Sequence, residues 1–280
     1  MKVLNSIKER LTSALAILIL MAAVVLCNAR FPVALNIVIA MISVMAVWEI
    51  TAALQMTRQI ALMVPSMIFA AVLPFLTGLF AQGMGLFIYT VVLFSAMILY
   101  HSAITFREVA IIYSMSLLIP SALQALVLLR DFGSSHGMFH VIVAIFSAWV
   151  ADAGAYIFGS LFGKHKLCPN ISPKKTVEGA IGGIVADILI MLLFGLIFQD
   201  FYWNKTVHVN FFVLAAIGLF GALLSMLGDL SFSIIKRSCH IKDFSELIPG
   251  HGGILDRFDS VIFVAPFVYL FLRIFPMVYA

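Results

Sequence analysis

The sequence predicts an all-α polytopic membrane protein, and two observations predict this class. Hydrophobic residues make up 63% of the 280 positions and charged residues only 11%, against about 25% charged residues in an ordinary soluble domain. The apolar residues also gather into nine stretches, each near the roughly 20 residues that a helix needs to cross a bilayer. A soluble globular domain is therefore excluded.

Nine transmembrane helices are expected in chain order. The basic residues before the first stretch resemble the start of a signal peptide, but the length of that stretch and the eight spans behind it favour an uncleaved helix. No repeat or low-complexity linker divides the chain. Residues 1–280 are therefore expected to form a single transmembrane catalytic domain, with N-terminal spans in 1–137 and the catalytic half in 138–280. The predicted spans are 12–29, 32–54, 59–80, 84–105, 109–129, 138–162, 177–199, 209–235 and 259–278.

The loops between these spans predict the orientation of the chain. With nine spans, 13 of the 17 lysines and arginines fall on the side of the N-terminus, and 4 fall on the other side. The positive-inside rule makes the richer side cytoplasmic, so the C-terminus lies outside. This bias and the attraction of anionic lipid head groups explain the net charge of +4 without any nucleic acid partner.

The cytoplasmic loop before the seventh span contains the first group of candidate site residues. Asp152 lies near the end of the sixth span among small residues, which allow another helix to approach closely. A functional role and a structural ion pair are both open for this residue. Lys174 and Lys175 precede a predicted helix start, where Thr176 is suited to cap the helix and free N–H groups attract anions. The two lysines are candidates for binding phosphate or, alternatively, lipid head groups.

The cytoplasmic loop before the ninth span contains the second group. The segment from Asp229 to Asp259 holds 5 of the 13 acidic residues of the chain and 4 of its 17 lysines and arginines. Helical spacing places Asp229, Ser233, Lys236 and Arg237 on one face of the eighth span. The run of proline and glycine at 249–253 must be non-helical, and its N–H groups are suited to bind an anion.

Three aspartates of this segment are expected to converge at a cavity on the cytoplasmic face. Asp229, Asp256 and Asp259 would supply the hard oxygen ligands that Mg²⁺ takes together with substrate phosphates. The nearby lysines and arginines are suited to phosphate oxygens, which arginine binds in pairs. A structural network of ion pairs is the alternative interpretation.

The second loop resembles the signature of the phosphatidate cytidylyltransferase family, the CDP-diacylglycerol synthases. That signature reads Ser-x-apolar-Lys-Arg, four residues, Lys-Asp, then His-Gly-Gly-x-x-Asp-Arg-x-Asp. It is filled here by Ser233, Lys236, Arg237, Lys242, Asp243, His251, Gly252, Gly253, Asp256, Arg257 and Asp259. The stretch around Asp152 and the run from Ser172 to Gly179 also look like family motifs. The resemblance covers residues 140–280 well.

The resemblance implies an Mg²⁺-dependent nucleotidyltransferase that converts CTP and phosphatidic acid to CDP-diacylglycerol and pyrophosphate. It implies membrane lipids as partners, allows a homodimer, and is consistent with a bacterial cytoplasmic membrane and an active site that faces the cytoplasm.

Roles for the individual residues follow as hypotheses. Asp229 and Asp256 are expected to be metal ligands, with Asp259 next, which leaves room for a second cation. His251 either donates to the leaving pyrophosphate or only orders its turn. Asp243 orients Lys242 or binds metal, and Asp152 is a further ligand or a neighbour of one. The residues expected to be catalytic are Asp229, Asp256, Lys242, Arg257 and His251. The residues expected to bind substrate are Ser233, Lys236, Arg237, Lys174, Lys175, Asp152, Asp243, Gly252 and Gly253.

Two other functions are compatible with the same residues. A CTP-dependent lipid kinase would release CDP, and an ion-coupled transporter would use Asp152, Asp187 and Asp229 as ion ligands. Glu49, His101 and Asp187 each fall within a predicted apolar span. A single satisfied hydrogen bond between helices is favoured for each over a role in a cavity.

Overall fold

The structure of the chain is a computed structural model, which describes residues 19, 21–28, 30–132, 136–203, 206–248 and 252–279. Helices dominate the described residues. They are α1 (Val33–Ala53), α2 (Ile60–Val72), α3 (Leu79–Leu99), α4 (Phe106–Phe132), α5 (Gly137–Phe162), α6 (Val177–Ile197), α7 (Phe211–Ser238), α8 (Leu255–Phe258) and α9 (Val261–Ile274). A 3-10 turn at Leu73–Phe75 follows α2, and a π turn at Phe198–Tyr202 follows α6.

Six of these helices are long and apolar enough to cross a membrane, namely α1, α3, α4, α5, α6 with its π turn, and α7. The all-α membrane class is thereby confirmed, whereas the count of nine spans stays a prediction. The ninth predicted span contains the 14-residue helix α9. Half of the first lies outside the described residues, although residues 21–27 are helical.

The bounds of the third and fourth predicted spans are wrong, because the apolar sequence continues through Pro74 whereas the helix ends at Val72. Proline lacks the N–H donor that helix continuation needs, and here the chain leaves α2 through the 3-10 turn around Pro74. Gly78 then adopts a φ of 86° and begins α3 five residues earlier than expected. His101 consequently lies beyond the end of α3, where its exposed ring contacts the carbonyl oxygen of Ile98, and is not part of a span.

The described chain divides into two compact units. The first unit comprises Met1–Val127 with Ser238–Phe258, and the second comprises Leu128–Arg237 with Asp259–Ala280. The described signature residues between Lys242 and Arg257 thus pack with the N-terminal spans, and the single catalytic domain with its division at residue 137 stays a prediction.

Polar side chains within the first unit tie its helices to the interruption after α2. The side-chain amide of Asn36 on α1 donates to the carbonyl oxygen of Pro74 at 2.6 Å, and that of Gln124 on α4 donates to Leu73 at 2.9 Å. Both acceptors belong to the turn that contains the proline, and the carbonyl oxygen of Leu73 also accepts the N–H of Leu76 at 3.1 Å. The two amides therefore bind α1 and α4 to this turn through its carbonyl groups.

The second unit contains two short antiparallel strand pairs that the sequence did not predict. Strands β1 (Lys166–Cys168) and β2 (Ser172–Thr176) pair with Lys166 opposite Thr176. Strands β3 (His208–Val209) and β4 (Val278–Tyr279) pair with Val209 opposite Val278. The first pair links α5 to α6 and delivers the chain to the start of α6, beside the residues of the candidate site.

Candidate active site

Close packing of α5 against α6 builds the floor of the candidate site. A Cβ atom at Gly183 would lie 2.7 Å from the carbonyl oxygen of Ala151, and one at Gly179 would lie 2.6 Å from that of Ala155. A Cβ atom at Gly154 would similarly meet Ala186 at 2.8 Å. The expected close approach at this small-residue segment is confirmed, and it brings the start of α6 beside Asp152.

The start of α6 is capped as the sequence predicted. Thr176 has extended backbone angles, and its Oγ1 accepts a hydrogen bond from the N–H of Gly179 at 3.1 Å. Glu178 accepts hydrogen bonds from the backbone N–H groups of Lys164 and His165 at 3.1–3.2 Å, and its Oε1 lies 2.6 Å from His165 Nδ1. These contacts hold the loop before β1 and fix the path of β2, which carries Lys174 and Lys175.

Asp152 lies on α5 between two serine hydroxyls. Ser225 on α7 donates to its Oδ1 at 2.9 Å, and Ser260 donates to its Oδ2 at 2.8 Å. Asp152 also interacts electrostatically with Asp229 and Lys175. The carboxylate therefore links three helical elements of the second unit and faces a second carboxylate.

Asp229 on α7 is paired with one of the predicted phosphate-binding lysines. Its Oδ2 lies 2.6 Å from Lys175 Nζ, and both side chains keep about a quarter of their surface exposed, at 28% and 22%. Its Oδ1 accepts a hydrogen bond from Ser233, one helical turn further on, at 3.2 Å. The predicted shared face of Asp229 and Ser233 is confirmed, whereas the direct pair with Lys175 was not predicted.

Asp259 approaches the same group of charges from the start of α9. A Cβ atom at Gly228 would lie 2.6 Å from the carbonyl oxygen of Asp259, so α7 and this segment touch through their backbones. Asp259 is buried and interacts electrostatically with Asp229, Asp152 and Lys236. The structure thus brings two of the three predicted metal ligands, Asp229 and Asp259, into one charged group.

A cavity of about 420 Å³ lies over these residues in the second unit, a size within the usual range for small-molecule sites. Its charged lining residues are Asp152, Lys174, Lys175 and Asp229. The remaining lining is mainly small or apolar and includes Tyr156, whose side chain is exposed. From the second predicted group, Asp229 on α7 contributes to the lining of this cavity.

The signature loop follows α7 and belongs to the first unit. We define it as Lys242–Arg257, which includes the first three residues of α8. The backbone N–H groups of Phe244 and Gly253 donate to Asp256 Oδ2 at 2.8 and 3.0 Å. The N–H of Ile248 donates to the carbonyl oxygen of Gly252 at 2.9 Å and closes the turn. One carboxylate oxygen of Asp256 thus orders the loop, a role that the sequence did not predict.

Glu49 on α1 holds the same loop, so the single hydrogen bond between helices that was favoured for this residue is wrong. Its side chain is 0% exposed, and it accepts hydrogen bonds from Ser245 Oγ at 2.5 Å, Ile254 N–H at 2.9 Å and Leu255 N–H at 2.7 Å. The only signal in the sequence was a lone acidic residue in an apolar span. Asp187 accepts one hydrogen bond between helices, from Ser147 on α5 to its Oδ2 at 2.7 Å, whereas its buried Oδ1 has no hydrogen-bond partner among the described residues.

The other predicted site residues have varied environments. Lys236 is buried and Arg257 is half-buried, whereas Lys174, Arg237, Lys242 and Asp243 are exposed. His251 lies outside the described residues. Asp256 belongs to the first unit and Asp229 and Asp259 to the second, so the convergence of all three aspartates stays a prediction.

The carboxylates of the second unit fit a magnesium ion in part. Asp152, Asp229 and Asp259 offer the hard oxygen ligands that Mg²⁺ prefers. Among the described residues, however, no group of three or more His, Cys, Asp or Glu side chains is arranged to hold a metal. Mg²⁺ is usually held by one or two carboxylates and completes its shell with water and substrate phosphates.

Comparison with known proteins identifies the family. A model of the cytidylyltransferase family matches residues 8–275. A phosphatidate cytidylyltransferase of Staphylococcus saprophyticus subsp. saprophyticus is 44% identical over 138 residues, which are 49% of this chain and 50% of that protein. A phosphatidate cytidylyltransferase of Bacillus subtilis is 38% identical over 178 residues, which are 64% of this chain and 63% of that protein. The chain thus spans between 50% and 63% of the length of these relatives.

A helical membrane protein whose cavity combines lysines and carboxylates beside a capped helix start defines a class suited to phosphate-bearing ligands. This chain belongs to the cytidylyltransferase family, because the family model covers nearly all of it. The family resemblance of the signature loop is thereby confirmed.

Proposed function

We propose that this protein is a phosphatidate cytidylyltransferase, which transfers CMP from CTP to phosphatidic acid and releases pyrophosphate. The observation that carries the proposal is the cavity in which Lys174 and Lys175 lie beside Asp152 and Asp229, between helices long enough to span a membrane. Such a site offers cations that can bind the phosphates of both a lipid head group and a soluble nucleotide. The names of the bacterial relatives support the choice of substrates.

The proposed reaction needs positioning and charge neutralisation more than proton transfer. A phosphate oxygen of phosphatidic acid attacks the α-phosphorus of CTP, and the bond from that phosphorus to the β-phosphate oxygen breaks as pyrophosphate leaves. The attacking oxygen is already anionic, so no general base is required. Holding two anions in line is the main difficulty, and fixed cations overcome it by orientation and electrostatic stabilisation.

The ion pair between Lys175 and Asp229 gives these residues a defined part in substrate binding. Lys175 is held by Asp229 at 2.6 Å, so its ammonium group is already placed at the cavity when the phosphates of CTP arrive. Exposed Lys174 adds a second positive charge on the same strand. When bound, Mg²⁺ would neutralise phosphate charge beside Asp229, with Asp259 and Asp152 as further oxygen donors and Asp256 as the predicted ligand from the signature loop.

The location of the protein is part of the same proposal. The distribution of lysine and arginine among the predicted loops supports a cytoplasmic membrane and an active site on its cytoplasmic face, where CTP is available. A homodimer and a second metal ion stay predictions.

The test is an assay of purified full-length protein in detergent with CTP labelled in its cytosine and with phosphatidic acid. We expect a chloroform-soluble cytidine nucleotide and equimolar pyrophosphate, both abolished by a chelator of divalent cations and restored by Mg²⁺. Formation of CDP with a phosphorylated lipid would instead identify a lipid kinase. Absence of any lipid-linked cytidine, with ion-dependent solute uptake into vesicles, would identify a transporter.

A further inference from the structure

The buried carboxylate of Glu49 is the strongest feature that the proposed reaction does not use. A carboxylate inside a membrane helix is unfavourable unless it is satisfied by hydrogen bonds. In the described part of the chain, the donors that reach Glu49 are Ser245 Oγ and the N–H groups of Ile254 and Leu255. All three belong to the signature loop, so Glu49 binds that loop to α1 across about 200 residues of sequence.

Two of these donors lie at the start of α8. The first N–H groups of a helix have no partner within the helix, and here the N–H groups of Ile254 and Leu255 donate to a side chain from another helix. Helix α8 has only one turn and carries Asp256 and Arg257. Because α8 is so short, its contact with Glu49 fixes the direction of the whole helix.

Asp256 binds the backbone of the same loop. Its Oδ2 accepts the N–H groups of Phe244 and Gly253, while Glu49 accepts donors from the neighbouring Ser245 and Ile254. Phe244 and Gly253 thus donate to Asp256, and the residues that directly follow them, Ser245 and Ile254, donate to Glu49. A change at Glu49 is therefore transmitted to the residue that carries the second carboxylate.

The paired glycines of the signature make room for these two carboxylates. A Cβ atom at Gly253 would lie 2.6 Å from both Glu49 oxygens, closer than any side chain tolerates. At Gly252 the backbone has a φ of 81°, and a Cβ atom would lie 3.0 Å from Asp256 Oδ2. The close approach at Gly253 is an observation separate from the hydrogen bonds, and it too points to Glu49.

We propose that Glu49 is a positioning residue for nucleotidyl transfer, which acts through the signature loop to set the places of Asp256 and Arg257. The inference rests on the proposed function, since those two residues are its predicted metal and phosphate ligands. Glu49 itself touches no substrate, and its effect on the reaction is carried by the backbone of the loop.

The test is the substitution Glu49→Gln in the full-length protein. Glutamine keeps the size of the side chain but replaces one acceptor oxygen with a donor group, so at least one loop donor loses its acceptor. Hydrogen–deuterium exchange should become faster at the amides of 244–256 and stay unchanged in α4. Transfer activity should fall about 100-fold, the loss that a displacement of about 1 Å produces, and the Mg²⁺ concentration for half-maximal activity should rise.

Thr51→Val is the matched control on the same helix. Thr51 is also buried, but its Oγ1 donates to the carbonyl oxygen of Val47 within α1, so neither loop exchange nor activity should change. If Glu49→Gln fails to accumulate in the membrane, the same measurements can be made on two other variants. Gly253→Ala displaces Glu49 by contact with its carboxylate, and Ser245→Ala removes one donor to it.

The two measurements separate the inference from the proposed function. Unchanged exchange of the loop in the variants overturns the role of Glu49, whatever the activity. Faster exchange with normal transfer and normal Mg²⁺ dependence overturns it as well, because the loop would then be anchored without consequence for the reaction. If wild-type protein transfers no cytidine but exchange still increases in Glu49→Gln, the anchoring stands and the proposed function fails.

Discussion

Asp229 connects the two groups of site residues that lie in the second unit. Through one oxygen it holds Lys175, and through the other it accepts Ser233, while it repels Asp152 and Asp259. Removal of its charge would leave Lys175 without this ion pair and would weaken the repulsion on Asp152 and Asp259. Asp229 is therefore the single residue whose charge the proposed site depends on most.

Asp229→Asn is expected to reduce cytidylyl transfer by about 100-fold or more, because the amide no longer fixes Lys175 or offers two anionic oxygens. Transfer should be measured over a range of Mg²⁺ concentrations. Asp131→Asn is the control, since Asp131 is also paired with a cation, Arg130 at 2.7 Å, but lies outside the cavity lining. Turnover close to wild type at limiting Mg²⁺ would rule out Asp229 as a metal ligand.

Sequence spacing predicted some of these residues because their signal is local. Thr176 and Lys175 lie beside a helix start, and Asp229 and Ser233 lie one turn apart on one helix, so short-range rules suffice. Glu49, Ser225 and Ser260 carry no such signal, since a lone polar residue in an apolar helix acquires its partner only from the tertiary fold. Glu49 and Ser245 are 196 residues apart.

At the scale of elements, the contact between α5 and α6 fixes the shape of the cavity. Glycines on both helices allow backbone atoms of one helix to touch the other, and the cavity is lined by residues from the same two helices. Small residues were predictable as a packing surface from composition. The helix ends around Pro74 were not, because an apolar run continues through the proline and hides the end of α2.

Gly183→Ala is expected to destabilise the protein by about 1–3 kcal/mol, the usual effect of an added methyl group in a packed contact. The added methyl group would lie 2.7 Å from the carbonyl oxygen of Ala151. Thermal unfolding in detergent measures the change. Gly83→Ala in α3 is the matched control, because nothing lies within 4 Å of its Cβ position. A Gly183→Ala protein as stable as the control would mean that the helices separate readily at this contact.

At the scale of the whole molecule, the class of fold was predictable and the grouping of its segments was not. Composition and span length are sufficient for a helical membrane protein. The packing of the signature loop with the N-terminal spans depends on long-range hydrogen bonds such as those of Glu49. No periodicity within the loop encodes such partners, so they could not be predicted from the sequence.

The predicted orientation gives a test that does not depend on enzymatic activity. In a variant with Cys27 and Cys239 replaced by serine, Cys168 on β1 should react with a membrane-impermeant maleimide in inverted vesicles but not in intact cells. A cysteine at Tyr202, which is exposed after α6, should show the opposite pattern when Cys168 is also replaced. Labelling of Cys168 in intact cells would contradict the predicted orientation, because this residue would then lie outside the cytoplasm.

The lining of the cavity has a consequence for ligand selection. Its four charged side chains are two lysines and two aspartates, and Lys175 and Asp229 already satisfy each other. A lone anion must compete with a carboxylate for the lysine, and a lone cation must compete with an ammonium group for the carboxylate. A metal–nucleotide complex brings both signs of charge at once and can exchange partners with the pair in a single event. Under the proposed function, the cavity would therefore bind the preassembled complex in preference to free metal or free nucleotide, because one ion pair is exchanged for two.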